Sequence, residues 1–360
     1  MDRDKTFSWL KAERLSLADF LDDLGAHEWE TDSLCPGWTV HDVAAHLTMS
    51  TRSTLLGTIG GVIRARRLPG DGAGEWAGCP VGVRRSADRR QAGRAMKDHA
   101  ERFARVARGW DEAAEGYDAC FVPRFAPWVE AAVEAVTTSE PPEGPVLVPC
   151  CGTFPELDAL IEHFPLREIV GIDLSEGMVR RARERAAPWP NVSVVEGDAS
   201  TLDPRWSGRC GAVVSVFGLQ QLPEPELAVR SWVTALRPAG RLSVVFWPDV
   251  TELDGPFALM KDVLGRHLPP GDGSWEERLT AALTAAGAAV ERDERVPYPM
   301  SHVDAPTVFD AYVRSGPLRA LATARGEVFV DRLREEFLSR APAGEWHHRP
   351  HARLIVACRR

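Results

Sequence analysis

The sequence predicts an α/β protein: a mostly parallel, doubly wound sheet with helices on both faces and a helical extension ahead of it. Three observations predict this. Short apolar runs recur as "PVLVPC" (145–150), "EIVGID" (168–173), "VSVVEG" (192–197), "AVVSVFG" (212–218) and "RLSVVFW" (241–247), with helical stretches between them near 155–163, 176–187 and 224–236. Strands that read as continuous apolar runs and alternate with helices belong to a parallel sheet covered on both sides. The first run ends in small residues and a glycine before a helix start, "VLVPCCGTFPE" (146–156), the outline of a ligand-binding turn. Finally, an acid, Asp173, closes the second strand 21 residues after Gly152.

The other elements follow in chain order. Residues 9–31 place Leu10, Leu15, Leu17, Phe20, Leu21 and Leu24 on a helical stripe that Gly25 ends. A second helix starts in "PGWTVHDVAAHLTMS" (36–50), with Thr39 as N-cap and Asp42 three residues on. From 57 to 93 periodicity fades and glycine, arginine and proline accumulate, as in a linker. Two helices and a linker bury little core alone, so this front end must pack on something else. A helical stretch from 96, "MKDHAERFARVARGWDEAAEGYDACF", leads to another at 127–136. After the fifth strand come helices near 275–286, 305–315 and 326–340, and a late strand, "HARLIVACRR" (351–360), that closes the sheet edge. The expected domains are therefore an N-terminal helical segment (1–56), a linker (57–95), a helical lid (96–140) and the sheet domain (141–360), with insertions at about 250–345 that shape a pocket.

The net charge of −9 argues against a broad grip on nucleic acid, and "RRSADRRQAGR" (84–94) reads as a solvated linker. No apolar run approaches the ~20 residues that span a bilayer, and "MDRDKTFSW" lacks the features of a signal peptide. The seven cysteines show no paired or metal-finger spacing, which fits a reducing compartment. A cytoplasmic protein is expected.

A doubly wound sheet binds its ligand beyond the C-terminal ends of its strands, at the point where strand order reverses. Asp173 stands there, spaced as an acid that accepts hydrogen bonds from ribose hydroxyls. Asp198, closing the third strand, is placed to accept from an adenine amino group. Thr153 and Glu156, with Pro155 between them, read as a capping box opening the first helix.

With these residues in view, the chain resembles the class I S-adenosylmethionine-dependent methyltransferases, over about 110–247 and onward to 360. The resemblance rests on "VLVPCCGTFPE", "VGIDLSEGMVRRARERA", "VSVVEGDAS", "AVVSVFGLQQL" and "LRPAGRLSVVFW" in this order and spacing. It implies a seven-stranded sheet and S-adenosylmethionine as cofactor, with no metal required. It assigns the methionine part of the cofactor to the turn Cys150, Cys151, Gly152 and Thr153. Ribose falls to Asp173, and adenine to Leu174, Met178, Gly197, Asp198 and Ala199. Val216, Phe217 and Gln221 border the methyl group, and Tyr117 reaches the cofactor from the lid segment "WDEAAEGYDACF". The family's first motif places an acid and two further glycines where this chain has Val148, Cys150 and Phe154, and Phe154 is bulky where a glycine lets the backbone approach. Its strand-four acid is Gly211 here, and Gln220 and Gln221 stand where histidines are common. Glu156 or a lid residue is expected to replace the missing acid.

"SLCPGWTVHDVAAHL" resembles the N-terminal helices of the DinB-like, mycothiol-dependent maleylpyruvate isomerases, over residues 8–50. That resemblance makes His46 a metal-ligand candidate, although three ligands are needed for a catalytic zinc site; a role in helix packing or in a homodimer is the alternative. The acceptor is expected to be a planar or hydrophobic small molecule, walled by Trp247 and Phe257. His302, in "YPMSHVDAP" after an edge strand, is the candidate base, whereas "EWHHRPH" reads as a solvated loop. Two readings compete with small-molecule methyl transfer: a methyltransferase fold that binds the cofactor for other chemistry or for regulation, and a metal- or thiol-dependent isomerase or transferase.

Overall fold

The computed structural model describes residues 107–268, 273–314 and 316–360. The chain divides into units Met1–Ala104 and Arg105–Arg360, and the described residues all lie in the second. The expected helices at 9–31 and 36–50, with His46, and the linker at 57–93 lie outside the described residues.

Residues 107–120 form helix α1, followed by α2 (Val122–Thr137) and β1 (Val146–Pro149). Then come α3 (Leu157–His163), β2 (Ile169–Asp173), α4 (Glu176–Ala186), β3 (Val192–Glu196), β4 (Cys210–Val216), α5 (Pro225–Ala235) and β5 (Leu236–Phe246). The C-terminal part adds α6 (Pro256–Gly265), α7 (Trp275–Ala285), β6 (Ala288–Pro297), β7 (Met300–His302), α8 (Ala305–Arg314), α9 (Gly316–Arg325), α10 (Glu327–Arg340), β8 (Trp346–His348) and β9 (His351–Arg359). Seven strands form one sheet in the order β3-β2-β1-β4-β5-β9-β6. Pairing is parallel from β3 to β5, and β9 runs antiparallel between β5 and β6. This is the expected seven-stranded, mostly parallel fold class.

Strand alternation divides the core between the two faces. Val146, Val148, Val214 and Leu354 meet α2, α3 and α4 on one side. Leu147, Val213, Val244 and Ile355 meet α5 and α7 on the other. Two fully buried tryptophans tie helices to the sheet through their indole N–H groups. Trp128 of α2 donates to the Val296 carbonyl of β6 at 2.8 Å, and Trp232 of α5 donates to the Ala199 carbonyl at 2.8 Å. A separate apolar cluster of α6, α8 and α10, centred on Met260, Phe309 and Phe337, sits in the insertion after β5.

The edge strand expected ahead of His302 is β6, at 288–297. Its centre, "ERDER", is mostly exposed, because β6 is a sheet edge and charges there discourage further pairing. The loop expected over "EWHHRPH" is instead partly strand: β8 pairs with β7, setting His302 opposite Trp346 and Met300 opposite His348.

Candidate functional site

The chain builds β1, moves outward to β2 and β3, then returns to place β4 on the other side of β1. The strand order thus reverses between β1 and β4, where a doubly wound sheet opens its ligand crevice. Both strands end there in left-handed residues that carry a Cβ, Cys150 (φ 58°) and Phe217 (φ 58°), and Phe154 (φ 67°) follows in the same turn. Such conformations cost energy and cluster at ligand sites. The two strand ends touch: a Cβ on Gly218 would stand 2.2 Å from that of Cys150, so only glycine follows Phe217.

Phe154 does not block the turn. Its ring is fully buried beneath it, and with Cys151 it fills the space that the missing side chain of Gly171 leaves on β2. Gly152, also left-handed (φ 54°), stays open; a Cβ there would meet only the Met178 sulfur, at 4.0 Å. Burial pushes the Cys150 and Cys151 thiols well up, so neither is a thiolate nucleophile. Gly211 lacks the family's acid for a steric reason: a Cβ there would lie 2.2 Å from the Pro142 carbonyl oxygen.

The expected capping box does not form. With Phe154 turned into the left-handed region, α3 starts only at Leu157, and neither partner caps it. The Thr153 hydroxyl lies 2.7 Å from a carboxylate oxygen of Asp118 on α1, to which it donates. Glu156 is buried, and its Oε2 has no hydrogen-bond partner. Burial, only partly offset by its own backbone amide and by Arg185, pushes its carboxyl up to about 8. The acid thus stands in the turn beside Asp173 with one oxygen unsatisfied.

Asp173 closes β2 as expected. Its two oxygens accept from the Gly152 and Ser175 amides, each at 2.9 Å, which links the turn to the start of α4. Burial raises its pKa, and those amides pull it back down. Helix α1 crosses the same strand ends and carries two acids that the sequence reading missed. Asp111 accepts from the Ser175 hydroxyl at 2.7 Å and the Gly177 amide at 3.1 Å, at the N-terminus of α4. Asp118 accepts from Thr153 and, at 3.0 Å, from Arg185. The available signal was their seven-residue spacing, two helical turns on one face. Tyr117 lies between them in the chain, its phenol pushed up by burial and by Glu156, Asp173 and Asp118.

The other assigned residues fall on the same rim. Met178 is buried in the first turn of α4, following the half-buried Leu174. Gly197 donates to the Asp173 carbonyl at 2.9 Å, Asp198 is exposed and Ala199 buried. Val216 and Phe217 are buried at the end of β4, and Gln221 sits half-buried in the short helical turn after it.

From Phe217 a wall of rings leads away from the crevice. Trp247 stacks on Phe217 with centroids 4.2 Å apart, Phe257 meets Trp247 edge-on at 5.3 Å, and His348 meets Phe257 edge-on at 5.1 Å. His302 then stacks on His348 at 5.2 Å, with their Nε2 atoms 3.1 Å apart. The remaining late histidines lie elsewhere: His267 contacts Glu336, and His347 and His351 are exposed. On its far side, Phe257 lines with Tyr312 a cavity of about 900 Å³, rimmed by Lys261, Glu276, Glu277 and Arg295.

Residues 146–240 match the family described as "Methyltransferase domain", and residues 10–140 match "Mycothiol maleylpyruvate isomerase N-terminal domain". The second match runs well beyond the 8–50 expected from sequence and takes in α1 and α2. Demethylmenaquinone methyltransferase of Staphylococcus aureus is 36% identical over 92 residues, 25% of this chain and 38% of that protein's length. Among solved structures, the YcgJ protein of Bacillus subtilis is similar over 64% of this chain and 98% of its own, at 16% identity and a TM-score of 0.43. The [4+2]-cyclase SpnF is similar over 65% and 80%, at 18% identity and a TM-score of 0.42. Residues 146–240 of this chain, on its doubly wound sheet, thus match a methyltransferase-domain family, and residues 10–140 match the mycothiol maleylpyruvate isomerase N-terminal family.

Proposed function

We propose that the protein is an S-adenosylmethionine-dependent methyltransferase acting on a planar or hydrophobic small molecule, in specialised metabolism of the cytoplasm. Its partners under this reading are the acceptor and a second copy held through the N-terminal helices, with neither nucleic acid nor membrane. The observation that carries the reading is the unsatisfied, buried Glu156 Oε2 beside Asp173 and the open Gly152 turn. An orphaned acceptor of this kind is costly unless a donor fills it, and the cofactor's ammonium is such a donor. The residues present thus fit the group. Asp173 would hold the ribose, and Gly152 and Thr153 the methionine carboxylate. Glu156 would take the ammonium in place of the acid missing at Val148. Leu174, Met178, Gly197, Asp198 and Ala199 would hold the adenine.

When bound, S-adenosylmethionine supplies an electrophilic methyl group. The protein orients and shields: Tyr117 closes from α1, Val216, Phe217 and Gln221 border the reacting end, and Trp247 and Phe257 wall the acceptor. The altered first turn also supports a second reading, in which the cofactor is bound for chemistry other than methyl transfer. Isothermal titration with S-adenosylmethionine separates the readings. Binding should weaken about 10–100-fold in Asp173→Asn, the worth of a hydrogen bond to a charged group. Equal affinity in wild type and variant would remove the site, and tight binding without turnover of any acceptor would favour the second reading.

A further inference from the structure

Beyond the cofactor crevice stands a buried chain of three titratable side chains. The Glu252 side chain is 4% exposed and that of His348 2%, with Glu252 Oε2 2.7 Å from His348 Nδ1. The other Glu252 oxygen, Oε1, accepts from the Phe257 and Ala258 amides at 2.7 and 3.3 Å, at the start of α6. His348 Nε2 lies 3.1 Å from His302 Nε2. With Glu252 as a carboxylate, which only accepts, and His348 as a neutral ring, His348 Nδ1 carries a hydrogen and its Nε2 a lone pair. His302 must then donate from Nε2, which leaves its Nδ1 bare.

We propose that Glu252, His348 and His302 form a proton relay, in which His302 Nδ1 accepts the hydroxyl proton of a neutral phenol or enol lying along the aromatic wall. This rests on the methyltransferase reading and names its acceptor class. Each transfer is balanced. The acceptor O–H bond breaks as the proton joins His302 Nδ1, and the Nε2 proton of His302 passes to His348 Nε2. His302 returns to neutral, and the positive charge rests on His348 against the Glu252 carboxylate. Electrostatics favour that direction. Among the groups facing this cluster, Arg124 of α2 opposes a charge on His302, and Tyr312 of α8 lies near Glu252. Burial, His348 and Arg124 lower the His302 pKa to about 4, so the ring is neutral at physiological pH but a weak base by itself, and transfer depends on the proton moving on to His348. A charge moved to His348 instead meets an anion at 2.7 Å. His302 is the catalytic residue of this scheme, and His348 and Glu252 position it.

The full-length protein, labelled with ¹⁵N at histidine, tests the relay by long-range ¹H–¹⁵N NMR, with His302→Gln and His348→Gln supplying assignments. Between pH 6 and 8, His302 should carry its proton on Nε2 alone. In Glu252→Gln, the amide oxygen keeps the α6 amides and its NH₂ faces His348, so both rings should flip and His302 Nδ1 should become protonated. A protonated Nδ1 in wild type, or no flip in the variant, overturns the relay. Methyl transfer to 1-naphthol, 2-naphthol and 4-methylphenol gives the second readout. Glu252→Gln should bind S-adenosylmethionine as wild type does but lose about 10²–10⁴ in rate. Equal rates, or a cofactor-binding wild type that methylates none of the three, sink the relay. Absence of cofactor binding to wild type would instead sink the methyltransferase reading.

Discussion

Glu156 shows how much one side chain can carry at this site. The folded chain holds its proton to about pH 8, against 4.5 for the free side chain. Between those values the unfolded chain has released a proton that the folded chain keeps. Stability from this group is therefore whole below about 4.5 and is lost as pH rises through 8. Glu156→Gln keeps the shape and removes the titration. By calorimetry its Tm should match wild type at pH 4 and exceed it by several degrees at pH 8.5, at about 2–4 °C per kcal/mol. The variant should also bind S-adenosylmethionine more weakly, with no gain in affinity between pH 6 and 8, whereas wild type gains as its carboxylate forms. A flat profile in wild type would remove the ammonium role from Glu156.

At the scale of elements, α1 is a cover pinned at two points. Asp111 reaches the N-terminus of α4, where the helix dipole favours an anion, and Asp118 holds the β1 turn through Thr153. The backbone of Asp111 lies so close to α4 that a Cβ on Gly177 would come within 2.6 Å of its carbonyl oxygen. Each carboxylate bond is partly exposed and modest alone, so both must go to loosen the cover. In Asp111→Ala/Asp118→Ala, stopped-flow should show S-adenosylhomocysteine leaving about ten times faster, with little change in Tm. An unchanged release rate would mean that α1 is not the gate.

Across the whole molecule, Trp128 joins the cover side to the far sheet edge. It packs against Phe217, Trp247 and Tyr298, and its indole bonds β6. Trp128→Ala should cost about 3–5 kcal/mol, roughly 10 °C in thermal denaturation, and should disorder the aromatic wall as well. A loss below about 1 kcal/mol would show that the wall is held elsewhere.

What could be read in the chain and what could not divide along a physical line. The five core strands, the late strand and the helices between them other than α6 and α9 were legible, because a sheet buried on both faces demands apolar runs and local periodicity records them. Asp173 was legible because the turn and the strand end that it bridges are set by short-range geometry. Strand β6 could be expected as an edge strand ahead of His302, but its charges hid its bounds, since an edge strand needs no apolar face. The capping box at Thr153 looked sound locally, but a left-handed Phe154, accommodated by Gly171 on the neighbouring strand, delayed the helix and left Glu156 free for another task. His302 could be suspected as a base, yet Glu252 and His348 lie 50 and 46 residues from it in the chain. Only the packing of β7 on β8, and of both beside α6, brings the three groups into hydrogen-bond contact, because contacts between distant segments leave no periodic trace in a sequence.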